Sequence, residues 1–107
     1  MKQISVQEFK KILELEKNNA DIGFIDVRSE KEHRENRIEG VRNIPLEQIT
    51  NHLSEFENKK TIYVHCLSGG RSQLAVEMLG SRKIKPELIN VDGGLLAWHQ
   101  AGFPIIS

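Results

Sequence analysis

Three short apolar runs, separated by helix-like stretches, place the strongest constraint on how this chain can fold. The runs cover residues 22–27, 61–65 and 88–91. Each is short and almost entirely apolar, which is typical of strands that are covered on both faces of a sheet. Strands that alternate with helices predict βαβ units, so we expect an α/β fold in which helices flank a mostly parallel sheet.

Helical periodicity fills the spaces between these runs. Ser5 with Glu8 forms a capping-box pattern at the start of the first helix. Between residues 29 and 45 the chain is polar and irregular, and no helix or strand is predicted there. Amphipathic helices are expected over three stretches, which are residues 5–18, residues 46–56 and a stretch beginning near Arg71 or Ser72. Residues 92–102 are expected to form a tight turn at Asp92, Gly93 and Gly94, then a short helix that Gly102 caps at its C-terminus.

Length and charge exclude several classes of protein. The 107 residues suit one domain, 1–107, with a single core. Fifteen basic and fifteen acidic side chains cancel without forming a basic stripe, so we expect no nucleic-acid partner. No segment is apolar enough to span a membrane, and the charged N-terminus lacks a signal-peptide pattern. We therefore expect a soluble, cytoplasmic protein.

The cysteine and histidine content limits metal and redox chemistry. Cys66 is the one cysteine, which allows neither an internal disulfide nor a cysteine-based zinc site. The four histidines show no metal-ligand spacing, and we expect no metal. Any chemistry of Cys66 must proceed without a second thiol in the chain.

Polar residues follow each predicted strand at the point where it ends. Asp26 and Arg28 follow the first run, Cys66 follows the second, and Asp92 with Gly93 follows the third. The carboxyl ends of parallel strands meet at one edge of a sheet, where α/β folds bind their ligands. We expect these three clusters to meet there, with Cys66 in the crevice.

The segment that follows Cys66 suits the binding of an anion. A free cysteine is more often a small buried hydrophobe, and a glycine pair or a helix-start arginine alone is more often structural. Here, however, Cys66 is followed by Gly69, Gly70 and Arg71 at the start of a helix, where backbone N–H groups can converge on one anion. The helix N-terminus and the Arg71 cation should lower the pKa of the thiol, which makes Cys66 a candidate nucleophile.

The length of the loop separates two kinds of chemistry. Thiolate phosphatases commonly place five residues between cysteine and arginine, and the position that this spacing requires is occupied here by Ser72. Arg71 follows only four intervening residues, so the loop is one residue short for phosphate. The tighter loop fits a smaller anion bonded to Cys66, such as a persulfide.

Four stretches of the chain resemble the rhodanese family, and together they cover nearly all of it. They are the loop "CLSGGRS", the segments "IDVRSEKEH" and "RIEGVRNIP" between residues 25 and 45, and "VDGGLLAWHQAGFP" over residues 91–104. The resemblance implies a three-layer α/β/α rhodanese-like fold around a sheet of about five strands, with Lys2–Ile4 as a further strand.

The resemblance also implies an activity, a sulfurtransferase that moves sulfane sulfur through a Cys66 persulfide. The donor would be thiosulfate or a persulfide, and the acceptor a thiol, cyanide or a partner protein in a sulfur relay. No cofactor is implied. The implied substrate-binding residues are those of the loop, namely Leu67, Ser68, Gly69, Gly70, Arg71 and Ser72. Two alternatives stay open, a non-catalytic docking module and a thiolate phosphatase or arsenate reductase.

Several positions depart from the family pattern or call for a structural interpretation. His33 stands where an aromatic residue is common, and Asn36 with Arg37 where Gly-His is common, so that segment can pack differently. Leu67 and Ser68 are uncharged where some relatives that use thiosulfate carry basic residues, which predicts that thiosulfate is a poor donor.

Three further side chains near the strand ends are predicted to stay out of the catalytic set. Asp26 and Arg28 are expected to tie loops together. The alternation of side chains along a strand should point His65 away from the side of Cys66.

Overall fold

The computed structural model describes residues 1–107 and contains a five-stranded, fully parallel sheet in the order β1-β5-β4-β2-β3. Its strands are β1 Lys2–Ile4, β2 Ile22–Asp26, β3 Arg42–Asn43, β4 Thr61–His65 and β5 Glu87–Val91. Its α-helices are α1 Val6–Glu16, α2 Glu30–Glu35, α3 Leu53–Phe56, α4 Gly70–Ser81 and α5 Gly94–Gln100. A 3-10 helix, Leu46–His52, precedes α3. The predicted α/β fold and the additional strand at Lys2–Ile4 are confirmed.

Two apolar clusters, one on each face of the sheet, form the core. Phe9 of α1 and Trp98 of α5 lie in the first cluster, on one face. Phe56 of α3 and Leu79 of α4 lie in the second, on the other face, which also holds Cys66. The three layers of an α/β/α fold follow, because a sheet of apolar strands must be covered on both sides.

The predicted start of α1 agrees with the structure, whereas the helix type predicted over residues 46–56 agrees only in part. The Ser5 hydroxyl caps α1 by accepting the Glu8 N–H at 3.1 Å, which is one of the two hydrogen bonds of the predicted capping box. The single helix expected over residues 46–56 is wrong in detail, since its first part is a 3-10 helix. Leu46 and Ile49 are three residues apart, a spacing that aligns side chains on a 3-10 helix as well as on an α-helix.

Two elements lie in the stretch predicted to be irregular. Helix α2 has no buried residue, so it lacks the apolar periodicity that would predict a helix. Its signal is instead a full capping box, in which Ser29 and Glu32 each accept the other's backbone N–H. Strand β3 has only two residues and pairs with β2 at the sheet edge.

The predicted meeting of the strand ends is confirmed. Asp26 at the end of β2 is in register with His65 at the end of β4, directly before Cys66. A Cβ added at Gly69 would lie 3.9 Å from the Gly93 nitrogen, so the loop after β5 also reaches the cysteine loop.

None of the helices combines the length and apolar character needed to cross a bilayer.

Candidate active site

The Cys66 sulfur lies at the carboxyl end of β4, enclosed by donors from its own loop. Cys66 is almost fully buried, with 1% of its surface exposed. The Gly69 N–H donates to its Sγ at 3.0 Å, and the Ser72 Oγ lies 3.4 Å from it. The backbone amides of Ser72 and Ser68 also contribute to lowering the pKa of this thiol. The loop therefore surrounds one atom with hydrogen-bond donors, the arrangement that stabilises an anion.

The Ser72 hydroxyl lies between two groups that can accept its proton. Its Oγ is 3.1 Å from the Gly69 carbonyl oxygen and 3.4 Å from the Cys66 sulfur. When Cys66 is a thiol, its S–H can donate to Ser72 while the hydroxyl donates to Gly69. When Cys66 is a thiolate, the hydroxyl can turn and donate to the sulfur instead. Ser72 can thus serve both protonation states without moving its backbone.

Hydrogen bonds set the ionisation of Cys66. Burial raises the pKa of its thiol, but the Ser72 hydroxyl and the amides of Ser72, Gly69 and Ser68 outweigh burial. The pKa of Cys66 therefore lies below its ordinary value. The direction agrees with the expectation from sequence, and the groups responsible are the loop donors.

Arg71 is paired with a carboxylate rather than left free beside the sulfur. Its guanidinium donates to Glu32 of α2 through two hydrogen bonds, 2.6 and 3.0 Å long. This bidentate pair lowers the pKa of Glu32 to about 2, so the carboxylate stays charged. The free cation that the sequence led us to expect is neutralised, because Glu32 comes from a helix that the sequence did not predict. The pair ties α2 to the start of α4.

The amino end of α5 holds the other side of the loop. The Leu95 N–H donates to the Cys66 carbonyl, and the Leu96 N–H to the Leu67 carbonyl, both at 2.9 Å. A Cβ at Gly94 would lie 2.4 Å from the Cys66 carbonyl oxygen, so only glycine allows this close approach. Gly93 and Gly94 form the predicted tight turn, with φ angles of 78° and 56°.

Only one of the two loop glycines requires a conformation that other residues avoid. Gly69 has φ 123°, in the region that favours glycine. Gly70 is the first residue of α4 and has an ordinary backbone. The strand-loop-helix interpretation of the segment is confirmed, with the helix beginning one residue earlier than predicted.

A buried ion pair lies beside the site, as the loop-tying interpretation predicts. Arg28 donates to the Asp26 carboxylate at 2.9 and 3.0 Å, and neither side chain is more than 2% exposed. The same guanidinium donates to the Asn36 carbonyl at 2.6 Å, and the His33 Nδ1 lies 2.9 Å from Asp26. His33 and Asn36, the departures noted in the sequence, are therefore part of this network.

Comparison with known proteins identifies the family to which this fold belongs. The sequence model of the rhodanese-like domain matches residues 5–101, which include every element from α1 to α5. The chain belongs to the rhodanese family.

Relatives of this rhodanese-like domain carry names from sulfur metabolism. A Bacillus subtilis protein named as a candidate sulfur carrier, YrkF, is 30% identical over 96 residues. These are 90% of this chain but 50% of that protein, so the chain spans half the relative's length. A sulfurtransferase of Allochromatium vinosum is 28% identical over 87 residues, 81% of this chain and 80% of the relative.

A solved structure supports the fold independently. The rhodanese-like domain of an Anabaena protein, determined by NMR, superposes with a TM-score of 0.84 at 25% identity. The superposition covers all of this chain and 80% of the other. The α/β architecture of the family is therefore present here.

The sequence pointed to the cysteine loop of this rhodanese-like domain but missed the residues that hold the loop from outside. Glu32 and the amide of Leu95 come from α2 and α5, far from Cys66 along the chain. The capping box at Ser29 could have located α2 and thus Glu32. His65 does point to the opposite face of the sheet from the thiol, as predicted, but its ring bonds the Cys66 carbonyl.

Proposed function

We propose that this rhodanese-like domain transfers sulfane sulfur through a persulfide on Cys66. The observation that carries the proposal is the ring of donors around the sulfur, with the Gly69 N–H at 3.0 Å and the Ser72 hydroxyl at 3.4 Å. These groups lower the pKa of Cys66, which raises the fraction of thiolate at neutral pH. A thiolate that is held by loop amides is suited to nucleophilic sulfur chemistry.

The first half-reaction loads the enzyme. The Cys66 thiolate attacks the outer sulfur of the donor, and a new S–S bond forms as the donor's bond to that sulfur breaks. The leaving group departs with the bonding electron pair, as sulfite from thiosulfate or as a thiolate from a persulfide. The product is a Cys66 persulfide whose terminal sulfur carries the negative charge.

The second half-reaction removes the terminal sulfur from the Cys66 persulfide. An acceptor thiolate or cyanide attacks the terminal sulfur, and the electron pair of the S–S bond returns to the Cys66 sulfur. In this proposal the amides of Ser68, Gly69 and Ser72 hold the charge in both states. Leu67 and Gly70 are exposed residues of the same loop, and in this proposal donor and acceptor approach past them.

Arg71 acts on the loop more than on the substrate in this proposal. Both of its terminal nitrogens are engaged by Glu32, so its main role is to fix the start of α4. Loop residues Leu67 and Ser68 bring no positive charge either. We therefore favour a thiol-derived persulfide over the thiosulfate dianion as donor, and a thiol or a relay protein as acceptor.

Two observations bear on the alternatives. The loop is one residue shorter than the thiolate phosphatase spacing, and its arginine is paired with a carboxylate, which disfavours phosphate or arsenate chemistry. A docking module would not need the donors that surround Cys66.

We place the reaction in the cytoplasm, where cellular reductants keep thiols free.

Intact-protein mass spectrometry tests the proposal. After incubation with a low-molecular-weight persulfide and removal of excess donor, we expect one added sulfur per chain. The sulfur should leave on addition of cyanide or a small thiol, and Cys66→Ser should never acquire it. A wild-type protein that gains no sulfur from persulfide or thiosulfate, or a serine variant that gains it equally, would refute the persulfide mechanism.

A substrate panel separates the three functions. Persulfide, thiosulfate and an aryl phosphate are each offered to the wild-type protein under the same conditions. We expect the fastest turnover with persulfide, slower turnover with thiosulfate and none with the phosphate ester. Turnover of the phosphate ester that Cys66→Ser abolishes would establish the phosphatase alternative instead.

A further inference from the structure

The side chain of His65 is buried next to the reacting residue, and its ring makes a single hydrogen bond. Its side chain is 1% exposed, and its ring lies 6.4 Å from that of Phe9 between centroids. The Nδ1 atom is 3.0 Å from the carbonyl oxygen of Cys66, whereas Nε2 has no hydrogen-bond partner. Burying an imidazole nitrogen without a hydrogen-bond partner costs free energy. The hydrogen bond at Nδ1 is therefore the feature of His65 that calls for a functional explanation.

The surroundings determine which nitrogen carries the proton. A carbonyl oxygen can only accept, so Nδ1 must be the donor in the bond to Cys66. A second proton on Nε2 would be a buried donor without an acceptor. Burial lowers the pKa of His65, the neighbouring Asp26 opposes this, and Arg28 and His33 add to it. The imidazole is therefore neutral and protonated on Nδ1.

The bond fixes a peptide group of the active-site loop. The Cys66 carbonyl accepts from both His65 and the Leu95 N–H of α5. Because a trans peptide is planar, with its C=O and N–H antiparallel, this carbonyl also dictates the direction of the Leu67 N–H. That N–H makes no hydrogen bond to the backbone of the chain.

The next peptide shows where such an N–H points. The Leu67 carbonyl accepts from Leu96, the neighbouring amide of α5. The Ser68 N–H lies on the opposite side of that peptide and is among the groups that lower the pKa of Cys66. Two consecutive carbonyls thus face α5, and the planarity of the trans peptides turns both amides away from that helix.

We propose that His65 is a positioning residue for Cys66: its Nδ1–H locks the Cys66 carbonyl against α5 and so holds the Leu67 N–H toward the sulfur. The inference rests on the proposed function only in taking Cys66 as the reacting group. His65 touches neither the sulfur nor a substrate and acts through the peptide between them.

Two substitutions at His65 test this role. The side-chain amide of His65→Asn can place an N–H close to the position of Nδ1, whereas His65→Leu fills the site without a donor. We expect the rate of Cys66 alkylation at neutral pH to fall about threefold in the leucine variant, through a raised apparent pKa. The asparagine variant should stay near wild type. Equal alkylation profiles in all three proteins, or an asparagine variant as impaired as the leucine one, would overturn the proposal.

The tautomer of His65 can be measured by NMR on the wild-type protein, so this test does not depend on whether a variant folds. The two tautomers and the cation of histidine give different 15N shift patterns in long-range 1H–15N spectra. We expect His65 to show the Nδ1–H tautomer at neutral pH, and an Nε2–H tautomer or an imidazolium would overturn the proposal. Neither experiment measures sulfur transfer, so failure to form a persulfide and failure of the His65 role are distinguishable.

Discussion

At the scale of single residues, short hydrogen bonds rather than a net charge stabilise the Cys66 thiolate. The guanidinium of Arg71 and the carboxylate of Glu32 form an ion pair, so Arg71 is not an unpaired cation near the sulfur. A hydrogen bond to a charged group is worth about 1.5–3 kcal/mol. The donors of Gly69 and Ser72 are therefore sufficient to offset the burial of Cys66.

Ser72→Ala should raise the pKa of Cys66, because it removes the largest favourable interaction of the thiolate. We expect iodoacetamide alkylation at neutral pH to slow by about tenfold, measured as rate against pH. Ser68→Ala is the matched control, since it keeps the backbone amide and alters only an exposed side chain. A serine-to-alanine change at 72 without effect on the profile would show that the amides alone stabilise the thiolate.

Glu32→Gln should have the opposite effect on Cys66. It leaves the guanidinium of Arg71 without a counter-charge, and Arg71 and Cys66 already influence each other's ionisation. We expect the pKa of Cys66 to fall, with alkylation continuing to lower pH than in wild type. Glu30→Gln, on the exposed face of the same helix, is the control. A raised pKa in Glu32→Gln would mean that the pair matters for loop geometry more than for charge.

At the scale of elements, the site depends on how closely α5 approaches the loop after β4. The amides of Leu95 and Leu96 bond two loop carbonyls at 2.9 Å, which requires the backbone of Gly94 to lie against Cys66. A helix N-terminus here anchors a loop, since its free N–H groups need acceptors and the loop supplies them. The cradle is thus held from α2 on one side and from α5 on the other.

Two glycine substitutions should have opposite effects on stability. Gly94→Ala places a Cβ 2.4 Å from the Cys66 carbonyl at φ 56°, and we expect it to cost about 1–3 kcal/mol and to slow sulfur loading. Gly80→Ala lies in α4 with open space around its Cβ, and we expect a gain of about 0.4–1 kcal/mol without change in loading. Urea denaturation and persulfide formation measure both effects. A Gly94→Ala protein of wild-type stability would contradict the close approach.

At the scale of the whole molecule, a buried ion pair ties the end of β2 to the end of α2 beside the site. Burial raises the pKa of Asp26, but the hydrogen bonds from Arg28 and His33 outweigh it and leave the pKa lowered. The pKa values of Glu32 and Glu55 are lowered as well. Carboxyl groups with lowered pKa values stabilise the fold above their unfolded-state values and stop doing so as they are protonated.

The stability of the protein should therefore fall on acidification. We expect the free energy of unfolding to begin falling below about pH 6.5, because burial lowers the pKa of His65 and only the unfolded chain binds its proton there, and to fall further from about pH 4.5 toward pH 2 as these carboxyls take up protons. Urea denaturation at a series of pH values measures the curve. A free energy of unfolding that rises on acidification in this range would refute the assignment.

Asp26→Asn isolates the buried pair. The variant leaves Arg28 buried without its counter-charge, and we expect a loss of about 3–5 kcal/mol at neutral pH with a shallower acid dependence. Asp21→Asn, which alters an exposed pair with Lys60, should change stability by less than about 1 kcal/mol. Similar losses in the two variants would show that the Asp26 pair is no more important than a surface one.

The sequence alone was sufficient for the elements whose signal is local. The apolar run Thr61–His65 is β4 from first to last residue, and Ser5 caps α1 through the bond that its spacing predicts. The loop after Cys66 was located by its glycines and by the helix that follows. In each case burial or capping depends on residues within one turn or one strand. The periodicity and spacing of the sequence therefore predict these elements.

The tertiary structure decided which distant groups surround the thiol. The partner of Arg71 is 39 residues away, on a helix with no apolar face, and the donors to the Cys66 and Leu67 carbonyls come from a helix that begins at Gly94. The ring of His65 faces away from the sulfur yet bonds the carbonyl of the same residue. Such contacts have no pattern along the chain, because they depend on where packing of the two apolar layers places each strand end.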